Sequence, residues 1–201
     1  MELKTLAGND RLRQMLESRR VGLPHACLIS GVKGSGKHTL AGLVAAAMVC
    51  QEEQENNRPC RRCGQCKKVF SGIHPDVKLI SGPGEGKPIT VDQIRDLRAD
   101  AYIRPNEGRR KVYILENVGD LRTEAQNAML KLLEEGPAYA VFLLLAENGE
   151  DAVAIYRDNP GQIDLVLLDM IMPKSGGHQT FLRLKAIDPQ VKVLLSSGFV
   201  S

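Results

Sequence analysis

The sequence has no tryptophan, and aromatic residues supply only 4% of its 201 positions, so its core must be built from aliphatic side chains. It has no strong charge bias either: 27 Lys and Arg stand against 24 Asp and Glu, and the formal +3 is too small to argue for nucleic acid. No apolar run exceeds strand length. The longest, at 140–146, falls far short of the roughly 20 residues that cross a bilayer, which excludes a membrane-spanning helix. The first residues, MELKTLAGND, carry no apolar segment of the secretory type, so a cytoplasmic location is expected. Internal repeats, low-complexity tracts and a Pro/Gly/Ser-rich linker near 148 are missing too, which speaks against two domains on a tether. Cysteine is scarce but clustered. With no export signal, four close cysteines out of five point to metal rather than disulfides.

What is present centres on residues 25–39, HACLISGVKGSGKHT. The run Ala26-Cys27-Leu28-Ile29 suits a buried parallel strand. It leads into Gly31, Gly34, Ser35, Gly36 and Lys37, a G-x4-GK phosphate loop that should open a helix near His38. The glycines let backbone N–H groups turn onto an anion, the helix N-terminus adds its dipole, and Lys37 supplies a point charge. A Ser or Thr should follow the lysine to ligate Mg²⁺, but His38 is there, with Thr39 one place late. The loop therefore reads either as a weak site for ATP, ADP, phosphate or sulfate, or as an inherited turn that binds nothing tightly.

Cys50, Cys60, Cys63 and Cys66 are spaced C-x9-C-x2-C-x2-C. Four thiolates with two close CxxC steps suit tetrahedral Zn²⁺ in a closed, structural site. Arg58, Arg61, Arg62, Lys67 and Lys68 surround the cluster and would offset its charge. The competing reading is four free thiols in a loop. Cys27, inside the first strand, reads as a small buried hydrophobe.

Strand and helix patterns alternate along the rest of the chain. A capped amphipathic helix is expected at 9–20, followed by an Ala-rich helix at 38–50 and a polar, charged stretch at 51–68. Strands are expected at 76–80, 111–117, 140–148, 163–169 and 191–198, with helices from Thr90, over 122–137, after Asn148 and over 178–187. This is an α/β pattern of parallel strands with helices on both faces.

Taken in order, HACLISGVKGSGKHTLA, the four-cysteine insert, HPDV, ITVDQIRDLR, KVYILEN and AQNAMLKLLEEGPAYAVFLLLAEN resemble the AAA+ domain of bacterial DNA polymerase III clamp-loader subunits, delta-prime above all. The resemblance covers about 1–148 and implies zinc on the four cysteines. It also exposes departures. Glu116-Asn117 stands where an active ATPase has Asp-Glu, and an Asn amide cannot polarise the attacking water. Together with His38, this implies a non-hydrolysing protein. The matching segment ends before the family's arginine finger, lid and collar, so neither clamp-loader partners nor DNA are expected.

From about 143 onward the chain resembles a response-regulator receiver domain. IDLVLLDMIMP places Asp169 at the phosphoacceptor position, Gly177 matches the glycine after it, and VKVLLSSG places Ser197 at the phosphate-contacting hydroxyl. The receiver's first strand with its acidic pair, and its last strand with its lysine, have no counterpart here. The resemblance therefore implies a relic phosphoacceptor without phosphotransfer.

Both parent folds are parallel sheets in which the first strand lies between two others, so strand 26–30 can serve both segments. The expected order is 76–80, 111–115, 141–146, 26–30, 163–168, 191–196. This is one three-layer sandwich, with residues 1–148 (P-loop part, zinc module at 50–66) and 149–201 (receiver-like part) completing the same sheet. The sequence thus reads as an engineered chimera without native activity or required partners. Alternatives are a nucleotide- or phospho-responsive switch and a clamp-loader interaction module. Strand 191–196, left at the edge, invites self-association.

Overall fold

The chain builds its sheet outward from β1 (Ala26–Ser30), whose five residues are all buried. The computed structural model describes residues 24–54, 57–170, 172 and 176–196. The helix expected at 9–20 and Ser197 lie outside the described residues. After β1 come α1 (Lys37–Val49), α2 (Gly64–Phe70), β2 (Val77–Ile80), α3 (Val91–Ala101), β3 (Lys111–Leu115) and a 3₁₀ turn at Val118–Asp120. Then follow α4 (Thr123–Glu135), β4 (Ala140–Ala146), α5 (Gly149–Asp158), β5 (Leu165–Asp169), α6 (Gly177–Ile187) and β6 (Val193–Ser196).

The strands form one six-stranded sheet in the order β2-β3-β4-β1-β5-β6, the order expected from the sequence. Every pairing is parallel. Strands β1, β3, β4 and β5 are buried along their whole length, because helices cover both faces. Side chains alternate between two cores. Ala26, Leu28, Phe142, Leu144, Val166 and Leu168 pack with α3, α4, α5 and α6 through Ile94, Leu97, Met129, Leu132, Ile155 and Leu184. Cys27, Ile29, Leu143, Leu145, Leu165 and Leu167 pack with Leu40, Val44 and Met48 of α1. Cys27 is the buried hydrophobe expected, and burial pushes its thiol pKa far up.

The two segments with different resemblances meet along β1. Leu28 and Ile29 lie opposite Leu144 and Leu145 on one side and opposite Val166 and Leu167 on the other. The Asp164 carboxylate accepts from the backbone N–H groups of His25 (2.6 Å) and Ala26 (3.1 Å), which fixes the start of β1 against the approach to β5. Farther out, the Tyr156 hydroxyl of α5 donates to Asp188 at the end of α6 (2.7 Å). Local caps agree with the sequence. Thr90 and Gln93 make a reciprocal capping box on α3, and the Asn148 side chain accepts from the Asp151 N–H at the start of α5.

Two expectations need correction. The stretch 51–68 is not simply a polar connection, because α2 forms inside it and runs past it to Phe70. The strands are also shorter than the apolar runs: β3 stops at Leu115, β4 at Ala146, and β5 starts at Leu165. Just outside these ends, Glu116 and Asp164 still donate backbone N–H groups to the Ile80 and Ala26 carbonyls.

Candidate functional site

The loop between β1 and α1 has the backbone its glycines foretell. Gly34 and Gly36 both sit at φ +86°, in the left-handed region, and Gly36 precedes the first turn of α1. Lys37 is 1% exposed, and among the described residues its ammonium donates only to the Val32 carbonyl, at 3.2 Å. An ammonium has three N–H groups, so two are uncommitted among the described residues. Burial lowers the Lys37 pKa, while Glu147 and Glu116 act to raise it. The Ser35 hydroxyl is buried without a hydrogen-bond partner. Gly31 spends its N–H on the Ala146 carbonyl, so it braces the loop against β4. A buried cation with spare donors, an unpartnered hydroxyl and a helix N-terminus together form a cradle fit for a phosphate-sized anion.

The metal position is different. His38 Nε2 lies 2.8 Å from Glu116 Oε1, so the residue after the loop lysine is bonded to the carboxylate just past β3. The next residue, Asn117, takes φ +48° and starts the 3₁₀ turn. Thr39 is exposed on the first turn of α1.

Asp169 ends β5, one residue beyond the Leu168 that pairs with Ser30, and so reaches the same rim of the sheet as the loop. It is 3% exposed. The carboxylates that act on Lys37 are Glu147 and Glu116. Gly177, the glycine after the phosphoacceptor strand, has a steric reason to be there. A Cβ at that position would lie 2.7 Å from the Asp169 carbonyl oxygen and 2.8 Å from Met170 Cα.

Cys50, Cys60, Cys63 and Cys66 converge, with their sulfurs all within 4.8 Å of one another and Cys50 and Cys63 at 4.0 Å. Four sulfurs at about 2.3 Å from a tetrahedral Zn²⁺ would stand about 3.8 Å apart, so this donor set could hold a metal such as zinc. The backbone is arranged around the sulfurs. The N–H groups of Glu52 and Cys60 point at Cys50, that of Cys63 at Cys60 and that of Cys66 at Cys63, each at 3.4 Å. Burial works to raise the Cys63 pKa, but N–H groups from Gln51 and Cys66 and the neighbouring thiols outweigh it and bring it to about 6. Burial keeps the Cys50 and Cys66 thiols high. The basic residues expected to offset the thiolates are partly engaged elsewhere. Arg62 pairs with Glu52, Lys68 with Glu107, and the Arg61 guanidinium lies 5.5 Å over the Phe70 ring.

Sequence reasoning noted His-Pro-Asp at 74–76 without giving it a role. In the structure His74 ties the cysteine module to the sheet. Its Nδ1 accepts from the Asp76 N–H (3.0 Å), so Nε2 donates to the side-chain Oε1 of Gln65 (2.6 Å), a residue between Cys63 and Cys66. The Asp76 carboxylate accepts three backbone N–H groups, from Asn106 (2.6 Å), Glu107 (2.8 Å) and Gly108 (2.7 Å). The invariable signal for such a role, a short polar motif at a strand start, is too common to single these residues out.

A glycine loop between a central strand and a helix, a carboxylate at the end of β3 and a parallel sheet define a P-loop α/β protein of the AAA+ class, here with a four-cysteine module. The family is narrower still. The profile of "DNA polymerase III, delta subunit" matches residues 8–154, and the chain belongs to that family. A second profile, "Response regulator receiver domain", matches residues 120–201 and overlaps the first over α4, β4 and most of the way into α5. DNA polymerase III subunit gamma of Buchnera aphidicola subsp. Acyrthosiphon pisum is 38% identical over 120 residues, 60% of this chain and 32% of the relative. DNA polymerase III subunit delta' of Pseudomonas aeruginosa is 38% identical over 124 residues, 62% of this chain and 38% of the relative. DNA polymerase III subunit tau of Escherichia coli is 37% identical over 146 residues, 73% of this chain and 22% of the relative. The chain thus spans well under half the length of these relatives. A gamma subunit-related protein from Thermotoga maritima superposes with a TM-score of 0.47 at 20% identity, covering 96% of this chain and 46% of that one.

Proposed function

We propose that the chain is an engineered fold chimera, a delta-prime-like P-loop segment (about 1–148) completed by the central part of a receiver domain (about 149–201). In this reading Zn²⁺ on Cys50, Cys60, Cys63 and Cys66 is structural, and the P-loop is a relic with weak affinity for phosphate, ADP or ATP. Asp169 and Ser197 are relics of a phosphoacceptor site. The chain has no native catalytic activity and needs no partner. The observation that carries the reading is the pairing of β1 with β4 on one side and β5 on the other, inside two overlapping family matches. Zinc would hold the ends of the insert together and leave no coordination position for chemistry. The activity of the longer DNA polymerase III relatives is not proposed for this chain.

The test has two arms. Phosphate release from ATP should not exceed that of a Lys37→Ala variant, because Asn117 cannot take the water's proton. Incubation with acetyl phosphate and Mg²⁺ should add no phosphoryl mass to the intact chain. Turnover above the Lys37→Ala control, or an adduct lost in Asp169→Asn, would instead support the nucleotide- or phospho-responsive switch.

A further inference from the structure

We propose that His38 occupies the place of the Mg²⁺ ion, so that the loop binds a diphosphate-bearing ligand without metal. The inference rests on the reading that the loop holds phosphate. In loops of this kind the residue after the lysine gives Mg²⁺ a hydroxyl, and the carboxylate on the adjoining strand holds the ion from the other side. Here those two groups are bonded to each other, His38 Nε2 to Glu116 Oε1 at 2.8 Å. For that bond Nε2 carries a hydrogen, so its lone pair is not available to a metal. Mg²⁺ also demands near-octahedral oxygen ligands at about 2.0–2.1 Å and sheds water reluctantly. An imidazole in place of the hydroxyl favours softer ions such as Zn²⁺, Cu²⁺ or Ni²⁺. Residues 38 and 116 therefore do not fit Mg²⁺.

They do fit an anion whose charge is met by the protein. In the same loop Lys37 is buried and, among the described residues, donates only to the Val32 carbonyl, and the Ser35 hydroxyl is buried without a partner among them. The pair itself is partly exposed to solvent, His38 by 53% and Glu116 by 23%. The His38 ring can leave Glu116 and turn a nitrogen onto a phosphate oxygen with a change in one exposed side chain. Glu147 and Glu116, both acting on Lys37, oppose binding, so the affinity is modest and the ligand carries more than one negative charge.

Calorimetry with ADP, with and without Mg²⁺, tests the inference on the full chain. The wild type should bind free ADP, and Mg²⁺ should leave the affinity unchanged or weaken it by taking ADP into solution complex. His38→Thr restores the hydroxyl, and its ADP affinity should tighten with Mg²⁺ by about tenfold, equivalent to one charge-assisted contact. Wild-type binding that tightens with Mg²⁺ overturns the role of His38 and leaves the phosphate loop intact. Absence of ADP binding under every condition overturns both. His38 is exposed, so the variant should fold, and the wild-type arm decides the question without it.

Discussion

Asp76→Ala offers a direct test of what holds the loop before β3 in place. The carboxylate is 1% exposed and accepts the N–H groups of Asn106, Glu107 and Gly108, which pins the loop before β3. Burial alone would raise its pKa, but the three donors outweigh it and hold the group below the usual carboxylate range. Hydrogen bonds to a charged acceptor are each worth about 1.5–3 kcal/mol, but Asn106 and Glu107 are exposed and their amides can rehydrate. A net loss of about 3 kcal/mol follows for the alanine variant. For a chain of this size that is a fall in melting temperature of roughly 6–12 °C. Because the folded pKa is depressed, the contribution is complete above the unfolded value of about 3.9 and fades as pH falls through the folded value. The gap between wild type and variant, followed by circular dichroism, should therefore be full at neutral pH and narrow below about pH 4. Asp76→Asn should fall between the two. A drop in melting temperature of less than about 2 °C at neutral pH would refute the argument.

Removing metal with a strong chelator under reducing conditions should lower the melting temperature and speed amide exchange across 50–70, while far-UV dichroism of the sheet persists. Unchanged exchange there would end the structural role of the cluster. Since Glu147 and Glu116 are the carboxylates acting on Lys37, Glu147→Gln should tighten ADP binding more than Asp169→Asn does at low salt, where screening is weak. The reverse ranking would make Asp169, not Glu147, the carboxylate that opposes the ligand. Leu195 of the edge strand β6 is 38% exposed, so sedimentation should show concentration-dependent association that Leu195→Lys reduces. A monomer at all concentrations would dismiss the edge as an interaction surface.

The sheet was legible because parallel strands buried on both faces appear as apolar blocks, and because a single strand with a phosphate loop can have only a few neighbours. The resemblance of 111–148 and 163–196 to two parallel folds then fixed which strands flank Ala26–Ser30. Helix α2 was not legible. Seven residues, GQCKKVF, are too few for a periodic pattern, and its cap is the Cys63 sulfur, which accepts from the Cys66 N–H. At the site, the identities of Lys37, His38 and Glu116 could be read, but the bond between residues 78 positions apart could not. The same limit applied to Glu147. Nothing in its neighbourhood marks it as a carboxylate that acts on Lys37 until β4 is laid beside β1.

The position of β1 also sets a schedule for synthesis. It leaves the ribosome before every other described element, yet its ladder partners are β4 at 140–146 and β5 at 165–169. At about 5–20 residues per second, the wait for the first partner is on the order of ten seconds. Throughout that wait Ala26–Ser30 is an apolar ribbon with both edges open, and β2 and β3 can pair only with each other. The central strand is therefore the one that waits longest for a partner, and the nascent chain is most vulnerable to mispairing where the finished protein is most deeply buried.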